Sequence, residues 1–72
     1  MRKKRKVLRL RQLRRAREMT QAALGERVGL DSSTISQIES GDRQPSLDKA
    51  RQLAAEFGVS VEDAFSYVEV AS

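Results

Sequence analysis

The stretch "TQAALGERVGLDSSTISQIESG", residues 20–41, predicts two short helices joined by a tight turn. In the first helix, Leu24 and Val28 stand four residues apart. In the second, Ile35 and Ile38 stand three residues apart. Both spacings place side chains on one face of a helix. Each helix therefore has a single apolar side to bury against the rest of the chain.

Suitable residues mark the ends of these two helices. Thr20 and Asp31 precede them and carry the side-chain oxygens that cap helix N-termini. Gly29 and Gly41 follow them, at the position where a left-handed backbone is common. A helix-turn-helix also needs a small residue where its helices touch, and Gly25 supplies it. The whole stretch is therefore predicted to form a helix-turn-helix.

Three further helices are predicted around this pair. The first covers residues 7 to about 18, the fourth runs from the N-cap Ser46 to Gly58, and the fifth covers residues 61–68 after the N-cap Ser60. The ending "YVEVAS" suits a helix, a strand or a frayed end. The expected fold is all-α: a basic N-terminal arm at 1–6, a compact five-helix domain with a central helix-turn-helix at 7–66, and a C-terminal tail at 67–72.

The composition excludes several classes of function. The 72 residues suit one small domain, which buries only about 60% of its unfolded surface. The chain has no cysteine and no histidine, which excludes disulfides, thiolate metal sites and a histidine general base. The adjacent carboxylates Glu62 and Asp63 diverge on a helix and cannot act as an acid–base pair. We expect no enzyme activity, no cofactor, no metal and no membrane span, and therefore a cytoplasmic protein.

Charge is distributed unevenly along the chain. Residues 1–17 hold ten Lys/Arg and no acid (+10), whereas residues 18–72 hold four Lys/Arg and ten acids (−6), which together give the net charge of +4. A basic segment on an acidic domain favours a polyanionic partner, with nucleic acid ahead of an anionic membrane surface. A solvated, partly disordered tail is the alternative. The cations of the arm are Arg2, Lys3, Lys4, Arg5 and Lys6.

Three short motifs carry a resemblance to a known family. They are "TQ" at Thr20 and Gln21, "TIS.IE.G" from Thr34 to Gly41, and Pro45 followed by a capped helix. With these motifs, residues 10–66 resemble the Cro/C1-type helix-turn-helix domain of phage repressors and bacterial regulators. The resemblance implies five helices, of which the third enters the DNA major groove. It also implies a dimer on a two-fold DNA site, paired through the fifth helix and the end of the chain.

The resemblance implies roles for individual residues. Ser32, Ser33 and Gln37 match positions that reach base edges, and Thr34 and Ser36 lie beside them. Hydroxyls and an amide both donate and accept hydrogen bonds, so this uncharged face can read bases without attracting phosphate indiscriminately. A solvated helix face is the alternative for the serines, whereas for Gln37 the base contact is favoured. The expected phosphate contacts are Thr20, Gln21, Ser40 and Arg43.

Arg14 and Glu39 match an ion pair that joins the first and third helices in the family, so both are expected to be structural.

Other positions depart from the family. Positions 32, 37, 40 and 42 are often basic there and are uncharged or acidic here, so the arm, with Arg9 and Arg11, is expected to supply the phosphate affinity. The arm is expected to be mobile when free and ordered on DNA. Glu18 replaces a common glycine. Gly25 replaces alanine, at an expected cost of about 1 kcal/mol in helix propensity.

These features predict a sequence-specific regulator that binds double-stranded DNA as a homodimer, most simply a repressor that occupies an operator. An antitoxin-like module that holds a protein partner and also binds DNA is the alternative, favoured by the acidic Asp31 and Asp42 beside the third helix. Separate titrations with DNA and with candidate partners would discriminate between the two. A third interpretation takes "KKRKV" as a nuclear-import signal; the bacterial or phage character of the remaining chain disfavours it.

Overall fold

The computed structural model describes residues 4–71, with side chains described for residues 6–70. Within that range the elements are strand β1 (Lys4–Leu8), helices α1 (Arg9–Ala16), α2 (Gln21–Val28), α3 (Ser32–Ser40), α4 (Leu47–Glu56) and α5 (Val61–Ala64), and strand β2 (Tyr67–Ala71). The expected five-helix domain with a central helix-turn-helix is confirmed. A small two-stranded sheet accompanies it.

Side-chain caps fix where four of the helices begin. Thr20 Oγ1 accepts a hydrogen bond at 3.0 Å from a backbone N–H in the first turn of α2, and Asp31 Oδ1 accepts one at 2.7 Å in α3. Ser46 and Ser60 cap α4 and α5 in the same way. Each bond satisfies an N–H group that the start of a helix leaves without an intrahelical partner. These four predicted caps are confirmed.

The turn between α2 and α3 brings two backbone segments close together. Gly29 ends α2 with a φ of 73°, a left-handed conformation that glycine adopts without steric cost. The Leu30 N–H then donates to the Gly25 carbonyl at 2.9 Å. A Cβ on Gly25 would lie 2.2 Å from the Leu30 carbonyl oxygen. Glycine at position 25 is thus required by the close approach of the turn, beyond any effect on helix propensity.

The corner between α1 and α2 contains a left-handed residue that is not glycine. Glu18 has a φ of 56°, and its N–H donates to the Arg15 carbonyl at 2.9 Å. A side chain at such a φ costs about 1–2 kcal/mol because Cβ crowds the neighbouring carbonyl. Glu18, where the family commonly has glycine, therefore places backbone strain at this corner.

The apolar faces of the helices meet in one core. Its largest fully buried side chains come from α1, α2, α3 and α4, and are Leu10, Leu24, Ile35 and Leu53. Val28, Ile38 and Phe57 extend the same cluster. The inward positions predicted from spacing in α2 and α3, Leu24, Val28, Ile35 and Ile38, are the ones that the fold buries. The spacing of the fourth helix also predicts a buried Leu47, and this prediction is wrong, because Leu47 is 61% exposed at the start of α4. Between residues 4 and 71, no helix has the length and apolar character needed to cross a membrane.

The two ends of the described chain form the sheet. β1 and β2 are antiparallel, in a register that sets Val7 opposite Val68 and Leu8 opposite Tyr67. Leu8 is buried in the core, whereas Tyr67 is exposed. The β-branched valines favour extended backbone on both strands.

This pairing corrects the expected limits of two helices. The first helix begins at Arg9 and not at residue 7, because Val7 belongs to β1. The fifth helix ends at Ala64 and not at residue 68, because Val68 belongs to β2. The physical reason is that interstrand hydrogen bonds between distant segments override local helical spacing.

The sheet also corrects the expectation of a mobile basic arm. The backbone of Lys4, Arg5 and Lys6 is part of β1 and pairs with β2, so the expected mobility is wrong for these three residues. Arg2 and Lys3 lie outside the described residues. The part of the arm from Lys4 to Lys6 is thus held by pairing with the C-terminal strand.

Candidate nucleic-acid interface

One side of α3 is exposed and uncharged. Ser32, Ser33, Ser36 and Gln37 are exposed on it, and Thr34 is half-buried. The opposite side of α3 is buried. The structure therefore brings together on one outer face the five residues expected to lie at base edges. We call these five residues the recognition surface.

Arg43 lies beside the recognition surface, although it belongs to the loop that follows α3. Its Nη1 donates to Thr34 Oγ1 at 3.3 Å. Hydrogen bonds from the side chain and the backbone N–H of Thr34 lower the pKa of Asp31, and the positive charge of Arg43 adds to the effect. Asp31 is therefore ionised at neutral pH, and a cation offsets its charge near the start of α3.

Ser40 uses its hydroxyl within the loop that follows α3. Its Oγ donates toward the Gln37 carbonyl oxygen at 3.0 Å and toward Asp42 Oδ2 at 2.9 Å. A hydroxyl has one hydrogen to donate, so the two acceptors share it. The phosphate contact expected of Ser40 would have to replace these bonds beside an acidic side chain.

The start of α2 presents backbone donors. Thr20 uses its side-chain oxygen as the N-cap. Gln21, the first residue of α2, donates from Nε2 to Glu39 Oε1 at 3.1 Å. The other N–H groups of the first turn have no intrahelical acceptor, and the helix dipole favours an anion at this end. Thr20 and Gln21 thus lie where a DNA phosphate would be stabilised.

Arg14 and Glu39 form a buried ion pair between α1 and α3, the pairing that the family resemblance implies. Arg14 Nε donates to Glu39 Oε2 at 2.7 Å, and Arg14 Nη2 donates to Glu39 Oε1 at 3.0 Å. Arg14 Nη1 donates to the Met19 carbonyl at 2.6 Å. Two parallel bonds between a guanidinium and a carboxylate fix both side chains. The pair therefore joins α1, the corner after it, and α3.

Several arginines of the basic segment, residues 1–17, bind groups of their own domain. Arg9 Nε lies 3.3 Å from Asp63 Oδ1. Arg17 donates to a backbone carbonyl at 2.9 Å, and its guanidinium lies 4.8 Å from the centre of the Phe57 ring. Together with Arg14, these residues have partners within the domain, although Arg17 itself is exposed. The uneven charge along the chain therefore overstates the number of cations available to DNA.

An apolar groove beside the loop after α3 was missed by sequence reasoning. Its volume is about 360 Å³, and buried Leu8 and Ile38 contribute to its lining. Leu47 and Tyr67 also line it, and they are 61% and 57% exposed. Leu47 opens α4 and Tyr67 opens β2, so only the complete fold brings them to one surface. In the sequence, the available signal was the apolar character of Tyr67, Val68 and Val70 near the end of the chain. We call this feature the apolar groove.

Comparison with known proteins agrees with this geometry. Residues 10–63 match the model of the helix-turn-helix family. The chain therefore belongs to the Cro/C1-type helix-turn-helix family, a family of DNA-binding transcriptional regulators and not a class of enzyme.

Individual relatives are similar over most of the chain. An uncharacterized HTH-type transcriptional regulator of Methanocaldococcus jannaschii is 40% identical over 58 residues, which cover 81% of this chain and 88% of that protein. One from Archaeoglobus fulgidus is 38% identical over 61 residues, or 85% and 86% of the two chains. The crystal structure of the restriction-modification controller protein C.AhdI from Aeromonas hydrophila is similar, with a TM-score of 0.71 and 35% identity over 79% of this chain and 86% of that one.

Proposed function

We propose that this protein is a sequence-specific repressor that binds a two-fold operator in double-stranded DNA as a homodimer. The recognition surface is the observation that carries the proposal. The helix-turn-helix holds α3 with four hydroxyl side chains and one amide on its outer side, and its single charged residue, Glu39, is buried. Such groups hydrogen-bond to base edges, whereas a surface for phosphate alone would carry cations.

Gln37 has the largest expected share of base recognition. It is exposed near the middle of the outer side of α3, and its amide can donate and accept at once. Adenine presents the matching donor and acceptor in the major groove. Ser32, Ser33 and Ser36 add shorter hydroxyl contacts with less discrimination among bases. The operator is therefore expected to contain an adenine opposite Gln37 in each half-site.

Phosphate contacts on either side orient α3 in the groove. The α2 N-terminus supplies backbone N–H groups together with Gln21, and Arg43 supplies a cation beside Thr34. β1 packs beside α3 and keeps Lys6 exposed. These groups contribute affinity on any sequence, and the recognition surface adds the preference.

The apolar groove supports a homodimer. The exposed side chains of Leu47 and Tyr67 lie on the same face as the apolar groove. A two-fold axis through that face places these side chains of one subunit against the groove of the other. Burial of Leu47 and Tyr67 removes apolar surface from water, at about 25 cal/mol for each Å². A dimer with this axis places its half-sites about 10 base pairs apart, or a multiple of that spacing. By occupying an operator, such a dimer would keep the transcription machinery from binding the same DNA. We expect the protein to act in the cytoplasm.

Selection of bound duplexes from a random pool tests the proposal directly. A two-fold consensus is expected, and a promoter that overlaps it should be silenced when the protein is expressed. Gln37→Ala should lower the affinity for the consensus by about 1–3 kcal/mol and relax the preference at one base pair. Gln52→Ala, at an exposed glutamine of α4, is the matched control. Equal losses on all duplexes would contradict base reading by Gln37.

Substitution of the two exposed apolar residues tests the dimer. Leu47→Glu or Tyr67→Glu should give a folded monomer by sedimentation, with weaker binding to the two-fold site. If each variant remains a dimer, the apolar groove is not the interface.

An antitoxin-like module remains the second candidate function, because ionised Asp31 and exposed Asp42 border the DNA-facing side of the domain. Two negative charges repel phosphate and suit a basic protein partner. Separate titrations with the selected duplex and with a co-purifying partner distinguish the candidates. A repressor binds the duplex tightly without the partner.

A further inference from the structure

We propose that Glu39 is a positioning residue for DNA binding, because it holds the side-chain amide of Gln21 with one N–H turned toward a DNA backbone phosphate. The inference rests on the proposed function and deepens it. It gives the buried ion pair a second role, beyond joining α1 to α3.

The chemistry of the contact determines how the Gln21 amide is oriented. Gln21 Nε2 lies 3.1 Å from Glu39 Oε1. An ionised carboxylate only accepts hydrogen bonds, so the nitrogen and not the oxygen of the amide must face it. One of the two N–H groups on Nε2 is then used. The second diverges from the first in the amide plane and remains available to an acceptor outside the protein.

Glu39 is well suited to hold another side chain still. It is only 6% exposed, and two hydrogen bonds from Arg14 fix its carboxylate. Arg14 is itself fixed by its bond to the Met19 carbonyl. The Gln21 amide therefore rests on a rigid support that belongs to α3, although Gln21 belongs to α2.

Charge compensation makes this support compatible with DNA. A carboxylate without a partner near the start of α2 would repel a phosphate. The guanidinium of Arg14 lies at 2.7 Å from Glu39, so the pair is close to neutral as seen from outside. Gln21 can then donate to a phosphate beside the backbone N–H groups of the first turn, where the helix dipole attracts an anion.

The consequence for binding is preorganisation. A free glutamine side chain loses rotamer freedom when it binds, which weakens the complex. Here much of that ordering has already occurred in the free protein. Loss of the Glu39 contact should therefore weaken DNA binding only as long as Gln21 is present.

Mobility of the side-chain amides in the free full-length protein gives the first test. The sequence has five glutamines and no asparagine, so NMR spectra of a ¹⁵N-labelled sample contain five side-chain NH₂ pairs. We expect the Gln21 pair to be as ordered as helix backbone and the exposed Gln44 pair to be mobile. Glu39→Asp keeps the charge but withdraws the carboxylate by about one C–C bond, roughly 1.5 Å. In this variant the Gln21 pair should become as mobile as that of Gln44.

A double-mutant cycle on a selected duplex gives the second test. Gln21→Met removes the amide at similar length and should weaken binding about tenfold on all sequences. Glu39→Asp should weaken binding nearly as much alone, and by less than about twofold when combined with Gln21→Met. Equal losses from Glu39→Asp in both backgrounds would overturn the proposal, because Glu39 would then act through the fold and not through Gln21.

The remaining outcomes are also decisive. If Gln21→Met binds the duplex as tightly as the original protein, this inference fails while the proposed function stands. If the original protein selects no duplex, the proposed function fails. Should Glu39→Asp not fold, the original protein decides: an ordered Gln21 amide supports the proposal, and one as mobile as that of Gln44 overturns it.

Discussion

The helix-turn-helix and the two-stranded sheet depend on different parts of the chain. The caps, the turn glycines and the apolar spacing that define α2 and α3 all lie within residues 20–41. β1 and β2 come from opposite ends, and each strand needs the other for its interstrand hydrogen bonds. The element that we propose to face DNA is thus specified locally. The element that positions the basic segment exists only in the complete fold.

The largest effect should come from separating the helix-turn-helix from α1. Arg14→Ala leaves the Glu39 carboxylate buried without its ion-pair partner, so the free energy of unfolding should fall by about 3–5 kcal/mol. Urea unfolding followed by circular dichroism measures this loss. Arg14→Met combined with Glu39→Met removes both charges and should recover most of the stability. A loss below about 1 kcal/mol in the single variant would mean that α2 and α3 are stable without this link.

The second effect tests the local turn. Gly25→Ala places a Cβ against the Leu30 carbonyl oxygen, and the required backbone shift should cost about 1–3 kcal/mol in the free energy of unfolding. Ala22→Gly, on the exposed side of the same helix, is the control and should cost about 1 kcal/mol through helix propensity. If Gly25→Ala instead raises the stability, helix propensity dominates and the close approach does not constrain the turn.

A smaller effect tests the sheet. Deletion of residues 67–72 removes the partner of β1, and the free energy of unfolding should fall by about 1–2 kcal/mol because the valines are only half-buried. Hydrogen exchange should show fast amides throughout β1 and unchanged protection in α2 and α3. Protection lost equally in both regions would show that the helix-turn-helix also depends on the sheet.

The smallest effect concerns the corner that joins α1 to the helix-turn-helix. Glu18→Gly removes a side chain from a residue with a φ of 56°, which relieves about 1–2 kcal/mol of strain. The added freedom of the unfolded chain offsets about 0.5–1 kcal/mol of that gain. The net rise in stability should be about 0.5 kcal/mol, seen as a higher Tm. Glu26→Gly, inside α2, is the control and should lower Tm.

Sequence reasoning succeeded where the structure is set by neighbouring residues and failed where it depends on distant segments. Thr20, Asp31, Ser46 and Ser60 cap the helices as predicted, because a cap depends on neighbours within three residues. The predicted first and fifth helices include Val7 and Val68, because helical spacing is local and strand pairing is not. For residues 67–72, the strand alternative is the one that the structure shows up to Ala71. Spacing therefore sufficed for the inward residues of α2 and α3, and it failed at Leu47 and at the limits of the first and fifth helices.

The candidate site likewise has a part that the sequence predicts and a part that depends on contacts between distant residues. The exposed face of α3 follows from helical spacing and the family motif alone. The position of Arg43 beside Thr34 does not, because it depends on how the loop after α3 folds back. The bond between Gln21 and Glu39 joins two helices whose relative placement no periodicity describes. Charge counting could not reveal that Arg9 and Arg17 have acceptors within the domain, since these acceptors lie far along the chain.

The register of the sheet has a consequence for chain connectivity. Lys4 is paired with Ala71, so the two ends of the described backbone are neighbours, about 5 Å apart at Cα. A short linker between them would allow new termini to be cut elsewhere, for example at Gly58, where a Cβ would meet no atom within 4 Å. In such a circular permutant, β1 and β2 become a hairpin whose pairing is local. The order of the elements along the chain would change while their arrangement in space is kept.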